Sequence, residues 1–589
     1  MVNDKVRTMN SRLKHIARRL SLVACSLSLG ASFTSCEDFL EVKSLDKIAL
    51  SNFWNEESDV ENMVMGCYSG MQQQAWMDRA ILWGEARSEN LTGGERITDD
   101  TNMENVMMEN LNSNNEYTKW INFYEVINRC NQILHYAPRV AEKDPNYTQS
   151  ELTATIAEVS ALRALNYFYL VRAFRDVPFT MEAYIEDTQK MDLPATPMME
   201  VLDSLTADLE RVIGGAVKRY PETTPALQTS RITQDAIHAL LADMYLWKQD
   251  YAKVVEHADA VIQSKLQDYQ KELDRLGGTS AGLLDKLING YPLLSDAYQG
   301  RNYYGMAFYS IFGEGNSTES ILELNFADDD TQLPNLAVSN RFGSADKGNG
   351  YLRPSDLVAN DVSDGLFAVY LNRYDTRNFE NIYRLSATNF QVAKYASQDA
   401  MVNVKENPYI TSNQSLRWPQ ERCHANWILY RLTDVMLMKA EALTLMVTES
   451  EGGYSTEDNT RLRQAYMLVD AVNRRSYGES DTESALVYTR YRTKSTMLNL
   501  VYDERNRELM FEGKRWFDLV RRSVREGNTN YLKTQAARKY TNNKSAAESK
   551  LSRLDAIFWP YNEEELKVNG NLKQNPAFGS GENSSIVVN

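Results

Sequence analysis

Residues 158–178, EVSALRALNYFYLVRAFRDVP, carry helical spacing on two sides. Ile156, Val159, Leu162, Leu165 and Tyr169 recur at three- and four-residue steps, an amphipathic stripe. Tyr167, Leu170, Val171 and Phe174 occupy the other side, so the helix is expected to be covered on more than one face. Asp176-Val177-Pro178 then stops it, because proline disfavours helical backbone at the residue before it. Packed helices are therefore the expected building unit.

The same spacing recurs at Ile237, Leu240, Leu241, Met244 and Tyr245, and at Val435, Met438, Ala442 and Leu445. Ile232 to Ile262 reads as a tetratricopeptide-like pair. Ala242 and Tyr245 fall on its first helix, Gln249-Asp250-Tyr251 at the turn, and Ala258 on its second; Val254 and Val261 stand where the repeat prefers alanine. Further hairpins are expected at Trp120–Leu134 with Leu152–Phe174, and at Leu432–Met446 with Leu462–Arg474. Their spacing is irregular, which favours a bundle over a regular solenoid. Between about residues 266 and 430, glycine, asparagine and aromatic residues increase, and runs such as Ile321–Phe326 alternate apolar with polar. The expected fold is mainly α. A tetratricopeptide-like helical-hairpin scaffold over about 50–265 and 430–525 carries a loop-rich region with short strands over about 266–430. Loops on a rigid scaffold are where binding residues usually sit, so this region is the expected ligand-binding part.

The chain has 589 residues, 43% hydrophobic and 24% charged, a globular balance with ample material for a core. Met9 to Arg19, MNSRLKHIARR, reads as the basic start of a secretory leader, and Leu20 to Ser32 as its apolar stretch. Phe33-Thr34-Ser35-Cys36 then resembles a lipobox. Leu22-Val23-Ala24-Cys25 is the better tetrapeptide, but it lies too few residues beyond Arg19 to leave room for the apolar stretch. Residues 1–35 are thus expected to be a lipoprotein signal peptide and Cys36 the lipidated residue, with acyl chains anchoring the protein. The leader holds six basic side chains and one acid, so without it the net charge moves from −16 to −21. A body that acidic repels phosphate backbones and anionic headgroups, which excludes nucleic acid as a natural partner. Beyond residue 35 no apolar run is long enough for a membrane-spanning helix. Cys67, Cys130 and Cys423 are far apart and odd in number, and read as small buried hydrophobes rather than a disulfide framework.

Catalytic patterns fail one by one. In Glu504 to Arg522, ERNRELMFEGKRWFDLVRR, Glu508 and Glu512 share a helical face as an acid/base pair would. Arg505, Arg515, Asp518 and Arg522 alternate in sign around them, however, and such a ladder keeps carboxylates ionised. Trp516 and Phe517 are expected to pack this segment against neighbouring helices. Gly278-Thr279-Ser280-Ala281-Gly282 matches a nucleophile elbow but follows a polar helical run instead of a strand. His135, His238, His257 and His424 lack metal-ligand spacing, and no phosphate-binding glycine loop occurs. No catalytic residue, metal or cofactor is indicated. What remains is aromatic wealth: 33 tyrosines and 9 tryptophans. Sugar rings present apolar C–H faces between hydroxyls, which suit flat aromatics flanked by amides and charges. The candidate ligand-binding residues are Trp76, Trp83, Arg87, Asn90, Tyr303, Tyr304 and Tyr351, with Glu89, Asn302, Tyr309 and Trp418 as further loop candidates.

Several blocks taken in order resemble the SusD/RagB family of Bacteroidetes outer-membrane lipoproteins. They are Cys36–Glu41 (CEDFLE), Phe53-Trp54, Gly66-Cys67-Tyr68, Trp120–Leu134, Glu158–Pro178, Ile232–Leu246, Asp375-Thr376-Arg377, Arg431–Leu443, Glu504–Arg522 and Asn569–Phe578. Trp559-Pro560-Tyr561 and Ala577-Phe578 depart from the family's usual ending. The resemblance implies one SusD-like domain over 36–589, and Glu37-Asp38 resembles the acidic tag that sends such lipoproteins to the cell surface. It also implies a role without catalysis: capture of an oligosaccharide, or in some members a peptide, for a partner SusC-like TonB-dependent transporter. A glycoside hydrolase is the weaker alternative. The family's sugar platform would draw on the early loop and the middle region, which singles out Trp83, Tyr303 and Tyr304.

Overall fold

Thr148 and Glu151 start the helix that contains Glu158–Pro178. The Thr148 hydroxyl accepts from the Glu151 N–H and the Glu151 carboxylate accepts from the Thr148 N–H at 2.8 Å, a reciprocal cap. The helix runs Gln149–Phe174 and stops where Arg175 takes φ 69° ahead of Pro178. From Ala157 onward every residue to Phe174 is buried, so this helix is the central post of the molecule.

The computed structural model describes residues 53–579 apart from 187, 278–286, 296–302, 305, 328–333, 345–347, 360–368, 371–374, 385–389, 396, 399–401, 404–415, 418–423, 450–452 and 477–485. The expected leader, Cys36, Gly278–Gly282, Asn302 and Trp418 lie outside the described residues. The longer helices are α1 (Glu57–Gln72), α2 (Gln74–Ile81), α3 (Ile121–Lys143), α4 (Gln149–Phe174), α5 (Met198–Val212), α6 (Gln234–Lys248), α7 (Tyr251–Arg275), α8 (Leu432–Leu445), α9 (Thr456–Arg475), α10 (Lys494–Glu508) and α11 (Arg515–Glu526). The three expected hairpins are α3–α4, α6–α7 and α8–α9. At the α6–α7 turn Gln249 adopts the left-handed conformation and Asp250 caps α7 by accepting from the Lys253 N–H. Packing proceeds from α1 to α3, α4, α5, α6, α7 and α8, with α9 and α10 both against α8. One large apolar core spans most of the chain, and a second joins α8, α9 and α10. Among the described residues no helix is long and apolar enough to cross a membrane.

Strands in the middle region are short and paired two by two. Those that matter below are β1 (Leu91–Gly93), β2 (Tyr303–Tyr304), β3 (Ser320–Leu324), β4 (Leu352–Pro354), β5 (Val402–Asn403) and β6 (Trp427–Arg431), pairing antiparallel as β1–β4, β2–β5 and β3–β6. The alternation at Ile321–Leu324 suggests a strand with one wet face; instead both faces of β3 are buried. Glu323 is accommodated by hydrogen bonds from Asn426 Nδ2 at 2.8 Å and the Asn316 N–H at 2.9 Å, and burial raises its carboxyl above the ordinary value.

Candidate functional site

The segment Glu504–Arg522 is not one continuous helix. α10 ends at Glu508, Phe511 and Gly513 take φ near +68°, and α11 restarts at Arg515. The reason lies opposite the turn. Residues Leu82–Ala86 form one wide π turn, Gly84 sits directly against Gly513, and a Cβ on Gly84 would overlap the Gly513 carbonyl oxygen. Glu85 accepts from Asn90 Nδ2 at 2.8 Å and, at 3.3–3.4 Å, from the N–H groups of Phe511, Lys514 and Arg515. Burial pushes its carboxyl up to about 7, against the pull of these donors.

The break turns the expected ladder along one helix into a buried network between elements. Glu508 meets Arg431 at 2.6 Å and Arg377 at 3.1 Å and is also paired with Arg475; Glu512 meets Arg431 at 2.7 Å and Lys394 at 2.5 Å. Arg377 also binds Glu504 and Asp375, and Arg475 also binds Glu319. Burial alone would raise the Glu508 carboxyl, but the guanidiniums of Arg475, Arg431 and Arg377 hold it well below the usual range. Glu504 and Glu512 are lowered by the same balance. These carboxylates stay ionised and offer no proton donor, as the sequence pattern implies. Sequence reading missed Arg431, Lys394 and Arg475 as their partners, and Glu319 as a second acid on Arg475. Arg377 and Arg431 stand at recognisable blocks, but only the fold brings them to α10. A small cavity borders this network, between Phe308, Ile311 and Phe312 on one side and Arg377, Lys394 and Arg431 on the other; its volume of about 30 Å³ suits a water or two, not a sugar ring.

Four of the seven candidate ligand residues belong to the core. Trp76 and Trp83 are fully buried and both stack on Phe123, with centroids 5.0 and 4.8 Å away. Their indole N–H groups donate to Asn166 Oδ1 and the Tyr117 carbonyl. Arg87 is bound to Glu109 and to the Ala556 and Ile557 carbonyls and lies over Trp516; Asn90 bridges Glu85 and Asn506. In this structure these four side chains have no face left for a ligand. Trp76 and Trp83 were expected on a loop, but residues 74–86 are α2 running into the π turn, a geometry that hydrophobic spacing does not signal. Glu89 is likewise enclosed, against Arg515.

Tyr351 differs. It is half-buried, with the Arg96 guanidinium 4.7 Å from its ring centroid and donating to its hydroxyl at 3.1 Å, and Arg341 at 5.4 Å. Its carbonyl accepts from the Gly94 N–H, so the β1–β4 pairing ties it to the early loop. Tyr303 and Tyr304 form β2, pairing with Asn403 and Val402 of β5. Among the described residues no group of histidine, cysteine and acidic side chains is placed to hold a metal.

Comparison with known proteins agrees with this architecture. Residues 318–578 match the SusD family model, and residues 38–246 match a second, described as starch-binding and associating with the outer membrane. A SusD-like protein, P38, of Formosa agariphila is 26% identical over 507 residues, covering 84% of this chain and 89% of that protein. A SusD superfamily protein from Bacteroides thetaiotaomicron shares the fold at a TM-score of 0.60 and 20% identity, over 89% of this chain and 99% of its own. A laminarin-binding SusD-like protein superposes at a TM-score of 0.59 and 19% identity, over 89% and 100%. With the two models matching in chain order over residues 38–246 and 318–578, this chain belongs to the SusD/RagB family.

Proposed function

We propose that this protein is a surface-exposed, lipid-anchored glycan receptor of the outer membrane that captures an oligosaccharide and passes it to a SusC-like TonB-dependent transporter. The observation that carries the reading is the pair of family matches, one of them described as starch-binding and associating with the outer membrane. The laminarin-binding protein of the same fold supports a glycan as ligand. Binding without catalysis fits the carboxylates around Glu508, each held ionised by guanidiniums. Cys36 would carry the lipid anchor and residues 1–35 the export signal, leaving 36–589 as the working domain.

The ligand-contacting surface in this proposal centres on Tyr351 and Arg96, with β2 (Tyr303 and Tyr304) as the second aromatic element. Tyr351 offers a partly exposed ring beside a cation with spare donors, the combination that binds a sugar face and its hydroxyls. The test is affinity gel retardation of the soluble form, residues 37–589, on a panel of glycans including starch and laminarin, repeated with Tyr351→Ala and Tyr303→Ala. Retardation by one glycan that Tyr351→Ala abolishes, with unfolding behaviour unchanged, is the expected result. Retardation that survives both substitutions moves the site elsewhere, and no retardation by any glycan turns the reading toward a peptide ligand.

A further inference from the structure

Cys67 and Cys130 are 63 positions apart, yet their sulfurs lie 3.7 Å from each other in the interior, on α1 and α3. Both residues are fully buried. The contact is built into the helix pair. Gly70 leaves the space that Val126 and Arg129 occupy, since a Cβ there would press on both side chains, and Arg129 donates to the Gly66 carbonyl at 3.1 Å. The sulfurs thus lie beside contacts that fix the register of the two helices. A separation of 3.7 Å is van der Waals contact, and a bond needs the sulfurs to close to about 2 Å by rotation of the two side chains about their Cα–Cβ bonds.

We infer that Cys67 and Cys130 form a disulfide in the exported protein, a cross-link between α1 and α3 made while the chain folds outside the cytoplasm. The inference rests on the outer-membrane reading above, because thiols in contact persist in a reducing compartment and are oxidised in an exporting one. The oxidant is a protein dithiol carrier in its disulfide form. One cysteine thiolate attacks a carrier sulfur and expels the other as thiolate. The second cysteine then attacks the mixed disulfide, forming the Sγ–Sγ bond and releasing the carrier as a dithiol. Each cysteine gives up its hydrogen, and the carrier takes both protons and both electrons. The step precedes packing. In the folded chain burial and the adjacent Cys67 push the Cys130 thiol well above its ordinary value, and neither sulfur is open to a carrier.

The test uses the full chain with its leader, recovered from the envelope fraction, quenched in acid, and alkylated in denaturant without reductant before proteolysis. The expected product joins the Cys67 and Cys130 peptides, lighter by two hydrogens than the pair of free thiols, while Cys423 is alkylated. Alkylation of both Cys67 and Cys130, or a bond from either to Cys423, overturns the inference. A parallel sample of the purified full chain, unfolded, reduced and refolded in a glutathione and glutathione-disulfide buffer, separates the two premises. Free thiols there fault the geometry. A bond formed there but absent from the exported chain also overturns the inference and faults the compartment on which it rests.

Discussion

Replacing Arg431 with methionine removes a cation from a fully enclosed charge cluster while keeping much of the side-chain volume. Arg431 contacts both Glu508 (2.6 Å) and Glu512 (2.7 Å), donates to the Glu508 carbonyl at 2.9 Å, and is almost wholly buried. Removing one partner of a buried ion pair costs about 3–5 kcal/mol, because a charge is left in a medium that solvates it poorly. Here neither carboxylate is stranded: Glu508 keeps Arg377 and Arg475, and Glu512 keeps Lys394. The low end, about 3 kcal/mol, is therefore expected. Urea unfolding followed by tryptophan fluorescence measures it, with an unchanged m-value as the check on the native and unfolded states. The pH dependence gives a second reading. The Glu508 carboxyl is depressed well below 4.5 in the fold, so its stabilisation is fully present above that value and is lost as pH falls through the folded value. Without Arg431 the depression is smaller, so less is lost. The gap between wild type and variant must therefore narrow as the pH drops below 4.5. A loss under about 1 kcal/mol at neutral pH, or a gap that does not narrow in acid, refutes this account of the network.

Gly84→Ala forces a methyl group into the Gly513 carbonyl and is expected to cost about 1–3 kcal/mol or more, whereas Gly66→Ala, with open space around its Cβ and a helical backbone, should gain about 0.5–1 kcal/mol. Thermal unfolding of the two variants should rank them on opposite sides of wild type, and the reverse order would show that the α2–turn contact is slack. Glu85, raised to about 7 by burial, binds a proton in the fold that the unfolded chain releases near 4.5, so its contribution to stability falls as pH rises between those values. Glu85→Gln should therefore gain on wild type across that window by up to about 3 kcal/mol, and a flat difference would show that the donors around Glu85 hold it ionised throughout.

The helices were legible because their apolar residues repeat at three- and four-residue steps over long stretches, as at Ile156–Tyr169 and Ile237–Tyr245. The hairpins followed from turn residues such as Gln249-Asp250. The interruption at Leu509–Lys514 was not legible: the charge pattern of Glu504–Arg522 continues smoothly across it, and the cause is a close approach of Gly84, more than 400 positions earlier in the chain. Two of the aromatic candidates, Trp76 and Trp83, prove buried for a related reason. Trp76 and Trp83 lie in a glycine- and charge-containing stretch that looks like a loop, and only tertiary packing on Phe123 shows them to be core. Cys67 and Cys130 likewise gave no spacing signal, since their proximity comes from the antiparallel register of α1 and α3.

Residues 84–90 are enclosed largely by a segment more than 400 positions later in the chain, with Glu109 and Ser355 completing the shell. Glu85 is met by the backbone of Phe511 to Arg515, Arg87 by the Ala556 and Ile557 carbonyls, Glu89 by Arg515, and Asn90 by Asn506. A nascent or threading chain that has not yet delivered residues 506–557 consequently holds Glu85, Glu89 and Asn90 without most of their partners, and Arg87 with Glu109 alone. Burial of these groups is thus completed only when the C-terminal segment packs against them.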